Sequence, residues 1–359
     1  MNDSESWVMA WRQTVGLPQS LPSGAVAAVA LLCLFWFVVI PSGSLIRYLD
    51  RKLIADFQAR IGPNRAGPSG FYQPLADMLK LLQKANYLEG DQSGWFWLMV
   101  HTMALYSTLA ILPLGSAIVM IDTDMTAFLP FWAALVLALG TMLLGLNQKT
   151  VSGWFGGIRG AAQTLSGTLP ALVSLLTAGL AAGGFRWSIF IKAQGAGPLQ
   201  WLLFKDPFLF MCAFIFVMSG LVLFEVPPLD GGQSMNDLHG GVGASIYGNK
   251  LSLYRVGRFY GFFLWTAITV VIFMGGWTLP FGLNETLRLS ERWTLLQLLE
   301  LSMVLLKTFS VMLLTGWISA LNPQARVDQV TDFALRVLSP AALLALIGES
   351  CFVAWRSLG

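Results

Sequence analysis

An all-α fold, a polytopic membrane bundle of eight transmembrane helices with an amphipathic interfacial helix in the first cytoplasmic loop, is predicted by three features of the sequence. Of its 359 residues, 55% are apolar and only 11% charged, and the mean hydropathy of +0.65 lies outside the range of soluble domains. Eight apolar runs are long enough to cross a hydrocarbon core of about 30 Å as helices. Only short polar connections separate them, so residues 1–359 read as a single integral membrane domain without a separate soluble catalytic domain.

The runs are Ala25–Ile46, Phe96–Met120, Phe128–Leu146, Ile158–Gly183, Phe208–Val226, Phe259–Phe281, Leu295–Leu321 and Phe333–Trp355. The first begins late, is long, and is followed by a basic segment instead of a small-residue cleavage site, so it is read as a helix and not a cleavable signal. Lys and Arg are biased towards the odd-numbered connections, and this places both termini on the non-cytoplasmic side. The net charge of +3 is thus a matter of topology, and no nucleic-acid partner is expected.

Cys33, Cys212 and Cys351 fall in separate apolar runs with no CxxC pair, which points to core packing and not to a disulfide framework or cluster ligands. The two histidines, His101 and His239, form no metal-ligand pattern, and no Gly-rich phosphate loop follows a strand. No metal or nucleotide is expected on this chain. Its chemistry then rests on ionisable groups at membrane depth and on the cytoplasmic loops, because buried charge is costly and marks ion paths or polar cavities. Within the spans these are Arg159, Glu225, Glu300, Lys307, Arg336 and Glu349. Glu300 and Lys307 stand two helical turns apart on one face, as a structural polar pair or as a proton relay.

The first cytoplasmic connection is the most informative segment. Arg47, Asp50, Arg51 and Lys52 end the first span at the interface, where cations suit the helix C-terminus and the cytoplasmic leaflet. Arg60-Ile61-Gly62-Pro63-Asn64-Arg65-Ala66-Gly67-Pro68 then sets turn formers around two arginines, fixing the guanidinium positions for a partner surface or an anionic group. From Phe71 to Leu82, apolar residues recur at 71, 75, 78, 79 and 82 with Asp77, Lys80 and Lys84 between or beyond them, the pattern of an amphipathic helix lying in the interface.

This loop, RIGPNRAGPSGFYQPLADMLKLLQK, resembles that of the membrane subunit 1 family (the H subunits) of respiratory complex I, the proton-pumping NADH:quinone oxidoreductase. The resemblance continues through GGIRGAAQTLS at Gly156–Ser166, GGW at Gly275–Trp277, LLKTF at Leu305–Phe309, and Pro323 followed by ARVDQ at Ala325–Gln329. It implies a non-redox-centre subunit of a bacterial inner-membrane translocase, at the junction of the membrane and hydrophilic arms. Such a subunit forms much of the quinone-access chamber. The implied partners are other membrane-arm subunits, the iron–sulfur and quinone-site subunits of the hydrophilic arm, and membrane lipids. Quinone is the implied substrate, and iron–sulfur clusters and FMN belong to partner subunits.

Carried over by motif position, Asp50, Arg51, Arg60, Arg65, Arg159, Gln163, Asp230 and Asp237 are the implied quinone-chamber residues. Asp77, Lys80 and Lys307 also match family positions, and together with Glu300, read from its place in the seventh span, they are the candidate proton-path or structural charges. The chain departs from the family at Thr168, Gln233, Met235, Ser245, Arg258 and Ala85, where glutamates are expected. These departures remove closely spaced acids that would raise one another's pKa and exchange protons. Gly231, Gly232, Gly240, Gly241 and Gly243 are expected to loosen the third cytoplasmic loop. The sequence thus predicts a divergent paralogue in which proton coupling at this subunit is altered or lost. A membrane anchor of a related membrane-bound hydrogenase or ferredoxin-linked complex, and a free-standing transporter or scaffold, are the competing readings.

Overall fold

The structure, a computed structural model, describes residues 40–84, 96, 98–100, 115, 122–148, 150–195, 197–233, 241–244, 246–279 and 293–358. Among these residues the regular structure is helical: α1 (Ile40–Phe57), α2 (Gln73–Gln83), α3 (Leu129–Leu146), α4 (Val151–Ala182), α5 (Trp187–Lys192), α6 (Pro207–Leu223), α7 (Gly248–Phe273), α8 (Trp293–Leu321), α9 (Val327–Asp332) and α10 (Ser339–Leu358). Helices suit a lipid environment because they satisfy their own backbone polar groups.

Among the described residues, five helical stretches are long and apolar enough to cross a membrane: Thr126–Leu146, α4, α7, Leu296–Leu321 and Val327–Arg356. The chain is a multi-pass membrane protein. Helix α6 is a shorter apolar helix of 17 residues. Most of the first predicted run and nearly all of the second lie outside the described residues, as do Cys33, His101 and His239.

Three predicted boundaries are corrected. Helix α1 does not stop at Ile46 but runs on to Phe57, carrying Arg47, Asp50, Arg51 and Lys52 on a helical extension instead of at a terminus. Helix α4 begins at Val151, where the Thr150 hydroxyl accepts a hydrogen bond from Gly153 N, so Arg159 lies in its third turn. Helix α7 spans Gly248–Phe273, not Phe259–Phe281: it includes the cations first read as loop and ends before Gly275 and Gly276, whose φ values of 72° and 47° leave the helical region.

Helix α4 is the centre of the bundle, packing against α3, α6 and α10, while α7 packs on α6, α8 and α2. The core is aromatic between α6 and α7. Phe216 stacks on Trp265 at 4.5 Å, Trp265 Nε1 donates to Phe216 O at 3.0 Å, and Phe131 of α3 meets Trp265 edge-on at 5.5 Å. The α3–α4 contact is the opposite kind, because small residues let two membrane helices approach closely. A Cβ on Gly145 would stand 2.6 Å from Gly157 Cα, so the two backbones touch.

At the end of α8 the chain turns into α9, which runs through a wider π turn at Phe333–Leu338 into α10. The Gly275-Gly276-Trp277 turn is latched from two sides. Gln194 Nε2 donates to Val271 O and Ile272 O, and Gln194 Oε1 accepts from Gly275 N at 2.6 Å. Lys307 Nζ donates to Met274 O and Gly276 O, both at 2.9 Å.

Candidate functional site

The loop that precedes α2 is built by its glycines. Gly67 and Gly70 have φ values of 78° and 82°, and any side chain at Gly70 would strike the Pro63 carbonyl. Tyr48 Oη donates to Ser69 O at 3.0 Å and Tyr72 N to Ala66 O at 3.0 Å, so the turn is pinned to α1 and to itself. Pro74, preset for the first helical turn, then starts α2.

Helix α2 packs its Pro74–Asp77–Met78–Leu81 face towards α7 and α1, and a cavity of about 330 Å³ opens between the three helices. Its wall carries Arg47 and Arg51 from α1, Lys80 and Lys84 on and just beyond α2, Arg255 from α7, and one carboxylate, Asp77. Ser44, Phe259 and Tyr260 complete the side facing the bundle, with the Arg47 guanidinium 5.4 Å from the centre of the Phe259 ring. Leu75, Leu79 and Leu82 are exposed on the flank of α2 turned away from Lys80 and Lys84.

A second cavity, of about 510 Å³, lies on the other side of Arg51 and Asp77 and is lined by Ile54, Arg60, Ile61, Gly62, Pro63 and Gln73. The Arg51–Asp77 ion pair, at 2.6 Å, is common to both walls. Gln73 Nε2 also donates to Asp77 Oδ1 at 2.9 Å. Partial burial raises the Asp77 pKa, but the hydrogen bonds from Arg51 and Gln73 outweigh it and hold the carboxyl below its usual range.

A second constellation lies where α6 meets α7. Glu225, at φ 47°, turns its carboxylate inward, and Arg258 grips it in a buried two-point ion pair, with Nη2 donating to Oε1 at 2.8 Å. Two glycines make the space: a Cβ on Gly160 or on Gly232 would stand 2.6 Å or 2.8 Å from the Glu225 oxygens. Arg258, read from sequence as the loss of an acid, is thus the partner of an acid that remains. The expected loosening by Gly231, Gly232 and Gly241 is also corrected. Gly231 abuts Val327, Gly232 abuts Glu225 and Gly241 abuts Gly156, so these glycines permit close backbone contact.

The remaining predicted site residues divide by position. Asp50 points at α8, its Oδ1 2.7 Å from where a Gly316 Cβ would be. Arg60 and Arg65 are exposed on the loop, with Arg60 Nε donating to Gln58 Oε1 at 2.7 Å. Arg159 is exposed on α4. Gln163 is fully buried, and its Nε2 donates to Val222 O at 3.1 Å and Leu229 O at 2.5 Å, clamping the end of α6 to the following loop. Asp230 accepts from Gln324 Nε2 at 2.9 Å, and burial raises its pKa. Glu300 and Lys307 are both buried on α8, without an ion pair between them. The Thr168 hydroxyl donates to Leu165 O at 2.6 Å. Asp237, Met235, Ser245 and Ala85 lie outside the described residues.

Arg51, Asp77 and Lys80 are therefore brought to one cavity, and Arg60 to the cavity next to it. Sequence reasoning did not single out Arg255 for this site, because the start of α7 reads as a loop, nor Tyr260, which reads as part of an apolar run. Once the helix is extended to Gly248, the four-residue spacing of Arg255 and Phe259 places both on one face.

A family model described as NADH dehydrogenase matches residues 29–349. The chain is 27% identical over 358 residues to the H subunit of the NADH-quinone oxidoreductase of Anaeromyxobacter dehalogenans (strain 2CP-C), covering 97% of this chain and 84% of that relative. It is 26% identical over 313 residues to the H subunit of the same enzyme in Rubrobacter xylanophilus (strain DSM 9941 / JCM 11954 / NBRC 16129 / PRD-1), covering 86% and 91%. In fold it is similar to a chain in the structure of the membrane-bound sulfane sulfur reductase, an archaeal respiratory membrane complex. That similarity has a TM-score of 0.74 at 20% identity and covers 89% of this chain and 99% of the other. With nine-tenths of its length matched by one family model, the chain belongs to the NADH dehydrogenase family, as a divergent member whose curated relatives are H subunits of NADH-quinone oxidoreductases.

Proposed function

We propose that this chain is the membrane subunit of a complex-I-like NADH:quinone oxidoreductase, forming the quinone-access chamber and the junction with the hydrophilic arm, with proton coupling at this subunit altered or lost. The observation that carries the reading is the cavity between α1, α2 and α7, whose wall sets Met78, Leu81 and Phe259 among fixed polar groups. A quinone is amphipathic in the same sense, and sites for such ligands combine apolar walls with a few placed polar groups. In this reading the isoprenoid tail follows Met78, Leu81 and Phe259, and the headgroup passes the Arg51–Asp77 pair.

The chain spans the bacterial inner membrane eight times with both termini outside the cytoplasm, and α2 lies in the interface. Electrons reach the quinone from an iron–sulfur cluster of a neighbouring subunit, with FMN further along the hydrophilic arm. This chain contributes the path and the electrostatics, since guanidinium groups beside the path stabilise the anionic forms of a quinone during reduction. Arg60, Arg65 and Arg159 face the partner subunits of that arm.

Altered coupling rests on the α6–α7 junction. A carboxylate whose charge is already balanced by Arg258 is an anchor for the surrounding backbone, and Thr168 offers a hydroxyl where a proton-carrying acid is expected. A second reading, the membrane anchor of a related hydrogenase or ferredoxin-linked complex, is supported by the fold shared with a chain of the sulfane sulfur reductase complex.

A photoreactive quinone added to native membranes is expected to label α1, α2 or α7 of a chain that migrates on blue-native gels with iron–sulfur subunits. Labelling confined to other subunits favours the anchor reading, and migration as a lone chain removes both. Thr168→Glu tests the coupling clause: full pumping by the unmodified complex, with proton-to-electron stoichiometry unchanged in the variant, removes it.

A further inference from the structure

Two buried carboxyl groups at the α6–α10 contact have no part in the proposed quinone chemistry. Glu349, on the membrane-spanning stretch Val327–Arg356, is 1% exposed, and its Oε2 has no hydrogen-bond partner among the described residues. Asp206, the residue before α6, is 6% exposed, and its Oδ2 is likewise unpartnered. A carboxylate kept from water persists as an anion only where cations and donors surround it, and otherwise takes up a proton. Acids held in this way inside membrane helices mark proton relays.

The packing of α10 on α6 brings the two acids to one place. Gly348 lies directly on Phe208, where a Cβ would stand 2.4 Å from the ring, so the residue beside it meets the first turn of α6. Arg356, two turns beyond Glu349 on the same face of α10, reaches Asp206 with its Nη2 3.5 Å from Oδ1. The groups whose charge Glu349 feels are Asp206 and Lys205 ahead of α6, the Cys212 thiol within it, and Arg356. Helix α4, packed on both, carries no ionisable side chain beyond Arg159. Lys205 is exposed and Arg356 half-exposed, so the cations stand towards solution and Glu349 lies behind Asp206.

The donor set identifies the occupant. A cation such as Ca²⁺ or Mg²⁺ takes six or more oxygen ligands, whereas two unpartnered carboxyl oxygens stand here. A proton needs one.

We propose that Glu349 is a proton-binding site inside the membrane-spanning bundle, served from the surface by Asp206. Asp206 Oδ2 takes a proton from water and passes it to Glu349 Oε2, one O–H bond breaking as the other forms. The carboxylate restored on Asp206 is held by Arg356. Neither acid is among the residues that the family resemblance implies. The proposal does not rest on the quinone reading, because proton binding is scored with no quinone present.

The test is infrared spectroscopy of the full-length chain in its native assembly, in nanodiscs without quinone, titrated with acid and base. A protonated-carboxyl stretching band is expected that fades as the pH is raised and returns as it is lowered. It should be absent from Glu349→Gln and retained, at a shifted position, in Glu349→Asp. After a light-released pulse of protons, the band should appear about a hundred-fold more slowly in Asp206→Asn, the lower end of what a positioned proton donor contributes.

No band assignable to Glu349, or one that no pH change alters, overturns the proposal. An unchanged rate in Asp206→Asn overturns the relay. Loss of the band on adding sodium at constant pH, but not on adding choline, also overturns the proposal, by assigning the site to a metal ion. If Glu349→Gln fails to assemble, the unmodified assembly is treated with a hydrophobic carbodiimide, which adds to protonated carboxyl groups, and mapped by mass spectrometry. Modification of Glu349 that falls as the pH rises is expected, and its absence at every pH overturns the proposal.

Discussion

Arg51 on α1 and Asp77 on α2, 26 positions apart, meet at 2.6 Å and form a partition shared by two cavities. The pair is the only carboxylate–guanidinium contact in either wall among the described residues. It fixes α2 against α1 where passage from one cavity to the other would have to occur.

Removing this partition should change function more than stability. Both side chains are partly solvated, with 35% and 40% of their surfaces exposed, and such pairs contribute about 0.2–1 kcal/mol. Asp77→Asn should assemble normally, shift the melting temperature little, and raise the KM for quinone several-fold. The pH dependence follows from the lowered pKa. The bridge's contribution is fully present above the unfolded value of about 4 and is lost as pH falls through the lower folded value. Quinone KM should therefore be flat from pH 8 to 5 with respect to this pair and rise only below about pH 4, as steady-state assays across that range will show.

The Glu225–Arg258 pair should behave in the opposite way. Both partners are buried, so removing one leaves an uncompensated charge, at a cost of about 3–5 kcal/mol. Arg258→Met should abolish assembly or strongly lower the thermal midpoint of the complex. Combining it with Glu225→Gln should recover most of the loss, because the unpaired charge is gone. Blue-native gels of the two single variants and the double variant will show the non-additivity.

Gln163 should act as a clamp whose loss is felt locally. Gln163→Ala removes two hydrogen bonds, to Val222 O and Leu229 O, each contributing about 0.5–1.5 kcal/mol, and leaves a void. A loss of about 2–3 kcal/mol is expected in thermal unfolding, with faster hydrogen exchange in residues 226–233.

At the α3–α4 contact, Gly157→Val should be more damaging than its size implies. A Cβ there would stand 2.8 Å from Gly145 Cα, and a backbone cannot move aside as a flexible side chain can. Overpacking costs about 1–3 kcal/mol even where side chains can adjust. Loss of the chain from membrane extracts is expected, whereas Gly243→Ala, which faces only Leu251 at 3.8 Å, should be tolerated.

Local pattern carried three of the described helices closely. The run Phe128–Leu146 against α3, Leu295–Leu321 against α8, and the periodicity over 71–82 against α2 agree within two residues, because each is a property of consecutive side chains. The start of α7 was not legible. Lys250, Arg255 and Arg258 break the apolar pattern, and only tertiary contacts with α6 and α2 explain cations on a continuing helix. The pairing of Arg258 with Glu225 was hidden for a related reason. It joins positions 33 apart through a backbone reversal, and no spacing rule links them. The motif glycines were legible as turn formers, but Gly160 and Gly232 matter for the volume they leave around a carboxylate, which is visible only in three dimensions.

The seam where Gly145 lies against Gly157 also makes the molecule one-sided. With the two backbones in contact, nothing as wide as a methyl group can slip between α3 and α4 from the surrounding bilayer. That flank is a bulkhead. Among the described residues α2 is held to α1 more loosely, by one partly solvated ion pair and the Tyr48–Ser69 hydrogen bond of the loop before it. One flank is thus closed by backbone against backbone, the other by side chains that water can reach.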